Sequence, residues 1–317
     1  MKIFFVDTVH PFLLTSLKSD GHECIELYEE NYEQISNKIS EANGIVIRSR
    51  IWLDKNILEK ANSCKFIVRA GAGMESIDVE YAKSKNIICL NSPEGNRDAV
   101  GEHIVGMLLS LMNNLNHADL QVREGEWVRE KNRGHELMGK TVGIIGYGNM
   151  GSSFAEKLRG FDCKIIAYDK YKTNFGTTNV KAVSMEEIYE RSDILSIHVP
   201  LTNETEYFIN DVFINKFQKN IYFINSARGK CVRTDDLVKN IQSGKILGAC
   251  LDVLEYEDLS FEKFSLSNIL ENPTWQYLIK SDKVILSPHI AGWTFESLEK
   301  IARVLYEKIN RLAGDAV

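Results

Sequence analysis

One glycine-rich segment has the spacing of a dinucleotide-binding turn. Gly146, Gly148 and Gly151 form the pattern G-x-G-x-x-G, with an apolar predicted strand before it (142–145) and a predicted helix after it (152–159). The pattern is informative only in this order of elements. Glycine at these positions permits a tight turn, lets the backbone approach a pyrophosphate, and lets helix and strand pack closely. The pyrophosphate would then lie at the N-terminus of the helix.

An acidic residue ends the next predicted strand. Asp169 would accept hydrogen bonds from the adenosine ribose of a dinucleotide and would repel a 2′-phosphate, which predicts NAD rather than NADP as the cofactor. Lys170 and Lys172 follow closely, and either could contact a 2′-phosphate, which weakens that preference. The alternative interpretation is a glycine-rich turn that binds no ligand.

Three ionisable residues lie just past other predicted strands. They are Arg228, Glu257 and His289. Because ligands of open α/β sheets bind beyond the carboxyl ends of the strands, these side chains could converge on one crevice. Taken singly, each has an ordinary alternative: a surface ion pair for the arginine, a solvated loop position for the glutamate, and a structural role in a Pro-His turn for the histidine.

Length and composition limit the class of protein. The 317 residues predict two domains, and 44% hydrophobic with 26% charged residues is typical of globular proteins in solution. A net charge of −6 without a basic run argues against nucleic acid and anionic membranes as partners. No apolar run approaches the ~18 residues of a membrane span, and no signal-peptide segment is present, so we expect a cytoplasmic protein. The six cysteines form no C-x-x-C pair, which predicts reduced, buried thiols and no metal site.

Short apolar runs alternate with helical segments along nearly the whole chain. This pattern predicts an α/β fold of two doubly wound, parallel-sheet (Rossmann-like) domains with a cleft between them. The strands are expected at 2–7, 24–28, 44–49, 66–71 and 87–92 in the first domain, and at 140–146, 163–169, 194–199, 221–225, 246–253 and 284–287 in the second.

Two helical segments have no strand partner. The first, about 97–125, carries apolar residues at helical spacing, among them Val100, Ile104 and Met107. We interpret it as a bridge between the domains whose spare apolar surface could form a subunit interface. The second is a C-terminal helix at about 294–312.

The chain resembles the D-isomer-specific 2-hydroxyacid dehydrogenases, most closely their phosphoglycerate dehydrogenase branch. The resemblance covers essentially all of the sequence. Besides the glycine-rich turn, its motifs are Ala70-Gly-Ala-Gly-Met-Glu-Ser-Ile-Asp78, Asn91-Ser-Pro-Glu-Gly-Asn96, Val100-Gly-Glu-His103, His198-Val-Pro-Leu-Thr202, Asn225-Ser-Ala-Arg-Gly229, Leu251-Asp-Val253 and Ser287-Pro-His289.

This resemblance implies the domain organisation. Residues 1–96 and 290–317 would form a flavodoxin-like substrate (catalytic) domain, closed by the C-terminal helix, and residues 97–289 the NAD-binding Rossmann domain. The spare apolar surface of the bridging segment at 97–125 would bind a second copy of the chain, so a homodimer is expected. Because the sequence stops after the closing helix, we expect no regulatory domain of the kind found on some relatives.

The resemblance also implies the catalytic roles. Arg228 would hold the substrate carboxylate bidentately, helped by backbone N–H groups near Ala72 and Gly73. His289 would give a proton to the carbonyl oxygen in reduction and remove the hydroxyl proton in oxidation. Glu257 would bond the other imidazole nitrogen, fix the tautomer and stabilise the protonated ring.

By the same resemblance, the cofactor contacts extend beyond the glycines. Asn149 and Met150 would line the pyrophosphate, Asp252 would orient the carboxamide, and residues 226–228 and 289–292 would border the nicotinamide. The complete predicted set is Gly146, Gly148, Asn149, Met150, Gly151, Asp169, His198, Ser226, Ala227, Arg228, Asp252, His289 and Gly292.

Two departures from the family pattern concern one loop. Glu257 is followed by Asp258 where relatives usually have Pro, and the stretch 259–282, which contains Trp275 and Tyr277, is longer than usual. The loop could be a lid or a subunit contact.

Two arginines in the first domain bear on the identity of the substrate. Arg48 and Arg50 follow a first-domain strand and could bind a substrate phosphate, or could pair with surface carboxylates. The first interpretation predicts a D-3-phosphoglycerate dehydrogenase of serine biosynthesis. Its alternative within the family is a glyoxylate/hydroxypyruvate or other 2-ketoacid reductase. From a different class, a non-catalytic NAD(H)-sensing binding protein would share the fold, and a turnover assay would distinguish it.

Overall fold

The computed structural model describes residues 1–257 and 271–314. The chain divides into two compact units: residues 1–97 with 293–314, and residues 98–257 with 271–292. Each unit contains one parallel sheet, of five strands in the first and seven in the second. The predicted α/β class with two doubly wound parallel sheets is therefore confirmed.

The first unit has the strand order of flavodoxin-like sheets. The order is β2-β1-β3-β4-β5, so the direction of winding changes between β1 and β3. All four residues of β3 are buried, as expected for a strand with both faces covered. The strands are β1 (Lys2–Phe5), β2 (Glu23–Glu26), β3 (Gly44–Ile47), β4 (Phe66–Arg69) and β5 (Ile88–Leu90).

The helices of this unit begin at side-chain caps. Asn31 and Gln34 form a capping box, and Asp54 and Asp78 accept from the backbone N–H three residues on. The helices are α1 (Pro11–Ser19), α2 (Tyr32–Lys38), α3 (Lys55–Lys60) and α4 (Val79–Ser84).

The C-terminal helix completes the first unit. It spans Phe295–Gly314 (α12, the last of twelve described helices) and packs against α1. Its apolar face lies in the same core as the strand residues Ile3 and Phe5. This helix follows the last strand of the second sheet in the sequence, but it packs against the first sheet. It therefore has no strand after it. Its buried residues are Ile301, Ala302, Leu305 and Ile309.

The second sheet changes its direction of winding between β6 and β9. The strand order is β12-β11-β10-β9-β6-β7-β8, which contains the Rossmann order. The edge strand β8 was not predicted, because it has three residues and buries only one of them. The strands are β6 (Thr141–Ile145), β7 (Lys164–Tyr168), β8 (Val180–Ala182), β9 (Ile194–Ile197), β10 (Ile221–Asn225), β11 (Ile246–Leu251) and β12 (Val284–Leu286).

The predicted single helix at 97–125 is two helices. α5 (Pro93–Met112) carries the chain into the second unit, and α6 (Leu115–Arg123) follows after a break. Asn114 at the break has the left-handed conformation, with φ of 54°, which asparagine tolerates better than most residues. Val100, Ile104 and Leu108 of α5 are buried, whereas α6 buries none of its residues.

The remaining helices cover the second sheet. Part of the long stretch 259–282 is one of them: α11 has Leu278 buried, and Trp275 and Tyr277 pack against the core of the unit. The predicted lid or subunit contact covered the whole stretch 259–282, and its part at 259–270 lies outside the described residues. These helices are α7 (Asn149–Lys157), α8 (Met185–Arg191), α9 (Asp211–Ile214), α10 (Thr234–Gln242) and α11 (Pro273–Lys280).

The six thiols are all free, and none is fully exposed. Cys64, Cys231 and Cys250 are buried, and the other three are half-buried. Burial raises the pKa of the Cys64 thiol to about 12 and that of Cys231 to about 11. None of the described helices is both long enough and apolar enough to cross a membrane.

Candidate active site

The glycine-rich turn joins β6 to α7 and leaves space in one direction only. A Cβ on Gly146, whose φ is 91°, would lie 2.5 Å from the carbonyl oxygen of His198. A Cβ on Gly151 would lie 2.1 Å from the carbonyl oxygen of Gly146, so helix and strand pack too closely for any side chain. A Cβ on Gly148 would meet nothing within 4 Å. The turn therefore offers open space at the glycine predicted to approach a pyrophosphate.

The helix after the turn begins where the cofactor is predicted to bind. Asn149 and Met150 are the first two residues of α7, and Gly148 is its N-cap. The first N–H groups of a helix have no partner within it, and together with the helix dipole they favour an anion. The residues present thus fit the pyrophosphate of a dinucleotide.

Asp169 is fixed at the end of β7 by three backbone N–H groups. One carboxylate oxygen accepts from Tyr147 in the glycine-rich turn at 2.8 Å. The other accepts from Tyr171 at 2.9 Å and from Lys172 at 3.0 Å. A carboxylate has about four acceptor positions, so capacity remains for a ribose hydroxyl. The structure places Asp169 beside the turn, as the predicted ribose contact requires.

His198 follows β9 at the point where the winding direction changes. Its Nε2 lies 2.9 Å from the hydroxyl of Ser196, and its ring packs near Phe154. Burial lowers the pKa of His198 to about 3, so the imidazole is neutral at physiological pH. Its Nδ1 is buried, and no atom of the described chain bonds it. The carbonyl oxygen of the same residue borders Gly146, so His198 lies beside the glycine-rich turn.

His289 and Glu257 form the central hydrogen bond of the site. The distance from Nδ1 of His289 to Oε2 of Glu257 is 2.7 Å. The second carboxylate oxygen accepts from the N–H of Leu254, which orients the carboxylate. His289 lies just past β12 with a φ of 54°, an uncommon conformation for a residue with a side chain. Such strain is found where the surroundings enforce a functional geometry.

Asp252 holds the backbone of the histidine segment in place. Its carboxylate accepts from the Ser287 hydroxyl at 2.6 Å and from the N–H groups of Ile290 and Ala291, each at 2.9 Å. Its carbonyl oxygen accepts from the N–H of His289 at 2.8 Å. Asp252 is only 1% exposed. The predicted contact with the carboxamide stays a prediction, and the structure adds a role as the anchor of His289.

A second histidine extends this network. Nε2 of His103, on α5, lies 3.0 Å from the Ser287 hydroxyl and 3.5 Å from the Asp252 carboxylate. His103 lies in the motif Val100-Gly-Glu-His103, which predicted no role for it. Its position within an otherwise apolar helix face, flanked by Val100, Ile104 and Met107, was the available signal.

Arg228 follows β10 on a loop that touches the loop of Glu257. Asn225 shapes this loop, because its side chain accepts from the N–H of Ala227 and donates to the carbonyl oxygen of Arg228, both at 3.0 Å. A Cβ on Gly229 would lie 1.9 Å from the carbonyl oxygen of Leu254. The loops after β10 and β11 are thus in backbone contact.

The structure brings the three predicted catalytic residues to one end of the second sheet. Arg228, Glu257 and His289 follow β10, β11 and β12, which are neighbours in the sheet. The hydroxyl oxygen of Ser226 is buried there without a hydrogen-bond partner in the described part of the chain. Gly292, at the end of this unit, was predicted to border the nicotinamide, and that contact stays a prediction.

The predicted phosphate subsite lies in the first unit, and Arg50 does not fit it well. Its guanidinium bonds the Asp7 carboxylate at 3.3 Å and the carbonyl oxygens of Val6, Leu27 and Glu30 at 2.5, 2.9 and 2.7 Å. Four of its five N–H groups are thereby used. Arg50, which follows β3, is thus bonded to the segments just past β1 and just past β2. These bonds are structural contacts.

The other substrate residues predicted in the first unit are placed as follows. The guanidinium of Arg48 lies over the Trp293 ring, 4.2 Å from its centroid, as in a cation–π interaction. Ala72 and Gly73 follow β4, and the carbonyl oxygen of Ala72 accepts from the Asn91 amide at 2.6 Å. Their predicted contacts with the substrate stay predictions.

Comparison with known proteins identifies the family. The sequence model for the NAD binding domain of the D-isomer specific 2-hydroxyacid dehydrogenases matches residues 105–291, more than half of the chain. The chain belongs to the D-isomer specific 2-hydroxyacid dehydrogenase family. It is therefore an oxidoreductase whose cofactor is NAD, which confirms the predicted enzyme class and cofactor.

Several relatives of this dehydrogenase match it over most of its length. The hydroxypyruvate reductase of Thermotoga maritima is 34% identical over 294 residues, which is 92% of each chain. The D-3-phosphoglycerate dehydrogenase of Archaeoglobus fulgidus is 30% identical over 315 residues, 99% of this chain but only 57% of that enzyme. The structure of the Aquifex aeolicus D-lactate dehydrogenase complexed with NAD and lactic acid has a TM-score of 0.82 at 28% identity, covering 99% of this chain and 96% of the other. These relatives share the fold and differ in the acid.

Proposed function

We propose that this dehydrogenase interconverts a small 2-keto acid and its D-2-hydroxy acid with Arg228, Glu257 and His289 as its catalytic residues. The observation that carries the proposal is the 2.7 Å hydrogen bond between His289 and Glu257 in the unit that contains the glycine-rich turn. Bound NADH supplies the hydride. Because Nδ1 of the imidazole is held by the carboxylate, Nε2 is the atom that exchanges a proton with the substrate oxygen.

Arg228 binds the substrate carboxylate in this proposal. A guanidinium can form two parallel bonds with a carboxylate, which sets the orientation of C2. The contact of Gly229 with the backbone of Leu254 supports the arrangement, because it keeps the Arg228 loop against the loop of Glu257. Together the two loops fix the substrate-binding cation and the partner of the acid–base residue.

The substrate we propose is an unphosphorylated 2-keto acid such as hydroxypyruvate or glyoxylate. Arg50, one of the two cations predicted to bind a phosphate, is occupied by Asp7 and by three backbone carbonyl groups. The hydroxypyruvate reductase from T. maritima also matches over 92% of both chains. The proposal is therefore supported by the contacts of Arg50 and by the similarity of the chain over most of its length.

Phosphohydroxypyruvate is the second candidate. The chain is 30% identical to the A. fulgidus D-3-phosphoglycerate dehydrogenase, and the match covers 99% of its length. Arg48 carries a first-unit cation that could meet a phosphate if it left the ring of Trp293. This candidate would assign the enzyme to serine biosynthesis.

Initial rates of NADH oxidation with hydroxypyruvate, glyoxylate and phosphohydroxypyruvate test the proposal. We expect kcat/KM for the best unphosphorylated acid to equal or exceed that for the phosphate ester. A preference of more than about tenfold for the ester, equal to about 1.4 kcal/mol, would select the second candidate. His289→Ala should lower kcat by about 10²-fold or more while NADH still binds, and near-normal turnover by this variant would overturn the acid–base assignment.

The same proposal includes a homodimer formed through the 97–125 region. α6 buries none of its residues, and Leu115, Leu120 and Val122 on it are more than half exposed. Trp127, just past the helix, is 80% exposed. Clustered exposed apolar side chains indicate an interaction surface, and a second copy of the same chain is the commonest partner. A cytoplasmic location stays a prediction.

A further inference from the structure

Two lysines beside Asp169 have the charge that a cofactor 2′-phosphate would need. Binding such a phosphate requires a cation with N–H groups directed at it. In the structure, Lys172 directs its ammonium at the carbonyl oxygen of Tyr147, 2.9 Å away, within the glycine-rich turn. The ammonium of Lys172 is thereby bonded to the backbone of the turn. Lys170 is the second lysine beside Asp169 that could contact a phosphate.

Lys170 is held by a residue from a different strand. Its ammonium lies 2.5 Å from a carboxylate oxygen of Glu204, which belongs to the turn after β9. The hydroxyl of Tyr171 donates to the same oxygen at 3.2 Å. Because β6 lies between β7 and β9 in the sheet, this bridge joins the loops on either side of the glycine-rich turn.

We infer that Glu204 is a specificity-determining residue that excludes NADP by holding Lys170 and adding a negative charge beside Asp169. This inference rests on the proposed binding of the cofactor at the glycine-rich turn. Asp169 alone repels a 2′-phosphate, but a free neighbouring lysine would offset that repulsion. With Glu204 in place, the charge of Lys170 is balanced by that of Glu204, so it does not offset the repulsion between Asp169 and the phosphate.

The bridge between Lys170 and Glu204 contributes little to the stability of the fold. Its effect on the charge next to the cofactor site is the larger one. Both side chains are more than half exposed, and exposed pairs contribute little to stability. A doubly charged phosphate, by contrast, senses the sum of nearby charges within about one Debye length. Removing the carboxylate of Glu204 makes that sum more positive, and it also frees the ammonium of Lys170 to approach the phosphate.

Direct binding of NADH and NADPH, measured by titration calorimetry with Glu204→Gln, tests the inference without requiring turnover. We expect the affinity for NADPH to rise about tenfold at low ionic strength, and the gain to shrink in high salt. The affinity for NADH should stay within about twofold of that of the parent enzyme. Adding Lys170→Ala should remove the gain, because the released lysine is its source.

Glu206→Gln is the matched control, since Glu206 is an exposed carboxylate of the same turn that forms no ion pair in the described chain. An equal NADPH gain in the control, no gain in Glu204→Gln, or a gain that survives Lys170→Ala would each overturn the role of Glu204. The parent enzyme separates this failure from that of the proposed function. If the parent binds neither dinucleotide, the glycine-rich turn is not the cofactor site, and the inference falls with it.

Discussion

In the proposed mechanism, the carboxylate of Glu257 determines which nitrogen of His289 is available to the substrate. Glu257→Gln keeps the shape of the side chain but removes the charge that is hydrogen-bonded to the imidazole. We therefore expect kcat/KM for reduction to fall by about tenfold or more in the variant, and we expect the fold to be retained. The measurement is the initial rate of NADH-dependent reduction.

Glu255→Gln provides the control for this variant. Glu255 lies in the same loop, but its carboxylate accepts from the N–H of Thr234 at 2.9 Å and not from the histidine. Its substitution should leave kcat/KM close to that of the parent. A loss of kcat/KM in Glu255→Gln together with none in Glu257→Gln would show that Glu257 is not the partner that catalysis requires.

Positions were predictable from sequence where a motif carried them. The proposed catalytic residues Arg228 and His289 lie in quoted motifs and Glu257 lies just past one, and the structure places all three after β10, β11 and β12. The contacts of Arg50 were not predictable, because its partners are mostly backbone carbonyl groups, which have no sequence signature. Only Asp7, at the end of the adjacent strand β1, could have indicated its structural role.

The buried ring of His198 makes the stability of the fold depend on pH in the acidic range. In the folded chain its pKa is lowered to about 3, whereas an unfolded chain has a histidine pKa of about 6.5. The unfolded state therefore binds the proton first as the pH falls, which destabilises the fold progressively below pH ~6.5. Between pH 7.5 and 5.5, this histidine alone should lower the free energy of unfolding by about 1.4 kcal/mol.

Urea denaturation at the two pH values measures this contribution. His198→Gln should lose correspondingly less stability than the parent over the same interval. His135→Asn, which removes an exposed histidine, should follow the parent. Identical losses in the parent and in His198→Gln would show that the ring titrates normally in the folded protein.

At the scale of elements, the site depends on how closely two loops approach. Gly229→Ala places a Cβ where the carbonyl oxygen of Leu254 now lies, at 1.9 Å, and must push the Arg228 loop away from the Glu257 loop. We expect kcat/KM to fall by at least tenfold, and stability to fall by about 1–3 kcal/mol from overpacking. Steady-state kinetics and chemical denaturation measure the two effects.

A glycine without a neighbour is the appropriate comparison. A Cβ on Gly160 would meet nothing within 4 Å. Gly160→Ala should therefore leave kinetics and stability close to those of the parent. If Gly229→Ala were equally silent, the two loops would not need their close contact for catalysis.

The elements themselves were largely predictable, and the misses have local causes. Eleven predicted strands are all present, although ten of them end one or two residues earlier than predicted. The break at Asn114 was missed, since helical spacing of apolar residues continues to Leu115, which is in fact 54% exposed. The edge strand β8 was missed because Val180 is its only buried residue.

At the scale of the whole molecule, the proposed dimer follows from what a single chain leaves uncovered. Leu120→Asp with Trp127→Ser replaces two exposed apolar side chains of the proposed interface. We expect a parent that elutes as a dimer in size-exclusion chromatography with light scattering, and a variant that elutes as a monomer. A monomeric parent would remove the proposal.

Val212→Asp is the matched control for this experiment. Val212 is 73% exposed on α9, far along the chain from α6. The same type of substitution there should leave the dimer intact. Dissociation by the control as well would indicate a general effect of the added charge.

Each unit contains a buried thiol, so local unfolding of the two units can be measured separately. Alkylating reagents attack the thiolate, and burial keeps the pKa of Cys64 near 12 in the first unit and that of Cys231 near 11 in the second. Each of these thiols becomes reactive only when its surroundings open, so the rate of labelling is a clock for local unfolding. Mass spectrometry of single sites would therefore show whether the sheet that carries Arg228, Glu257 and His289 opens on the same timescale as the other sheet.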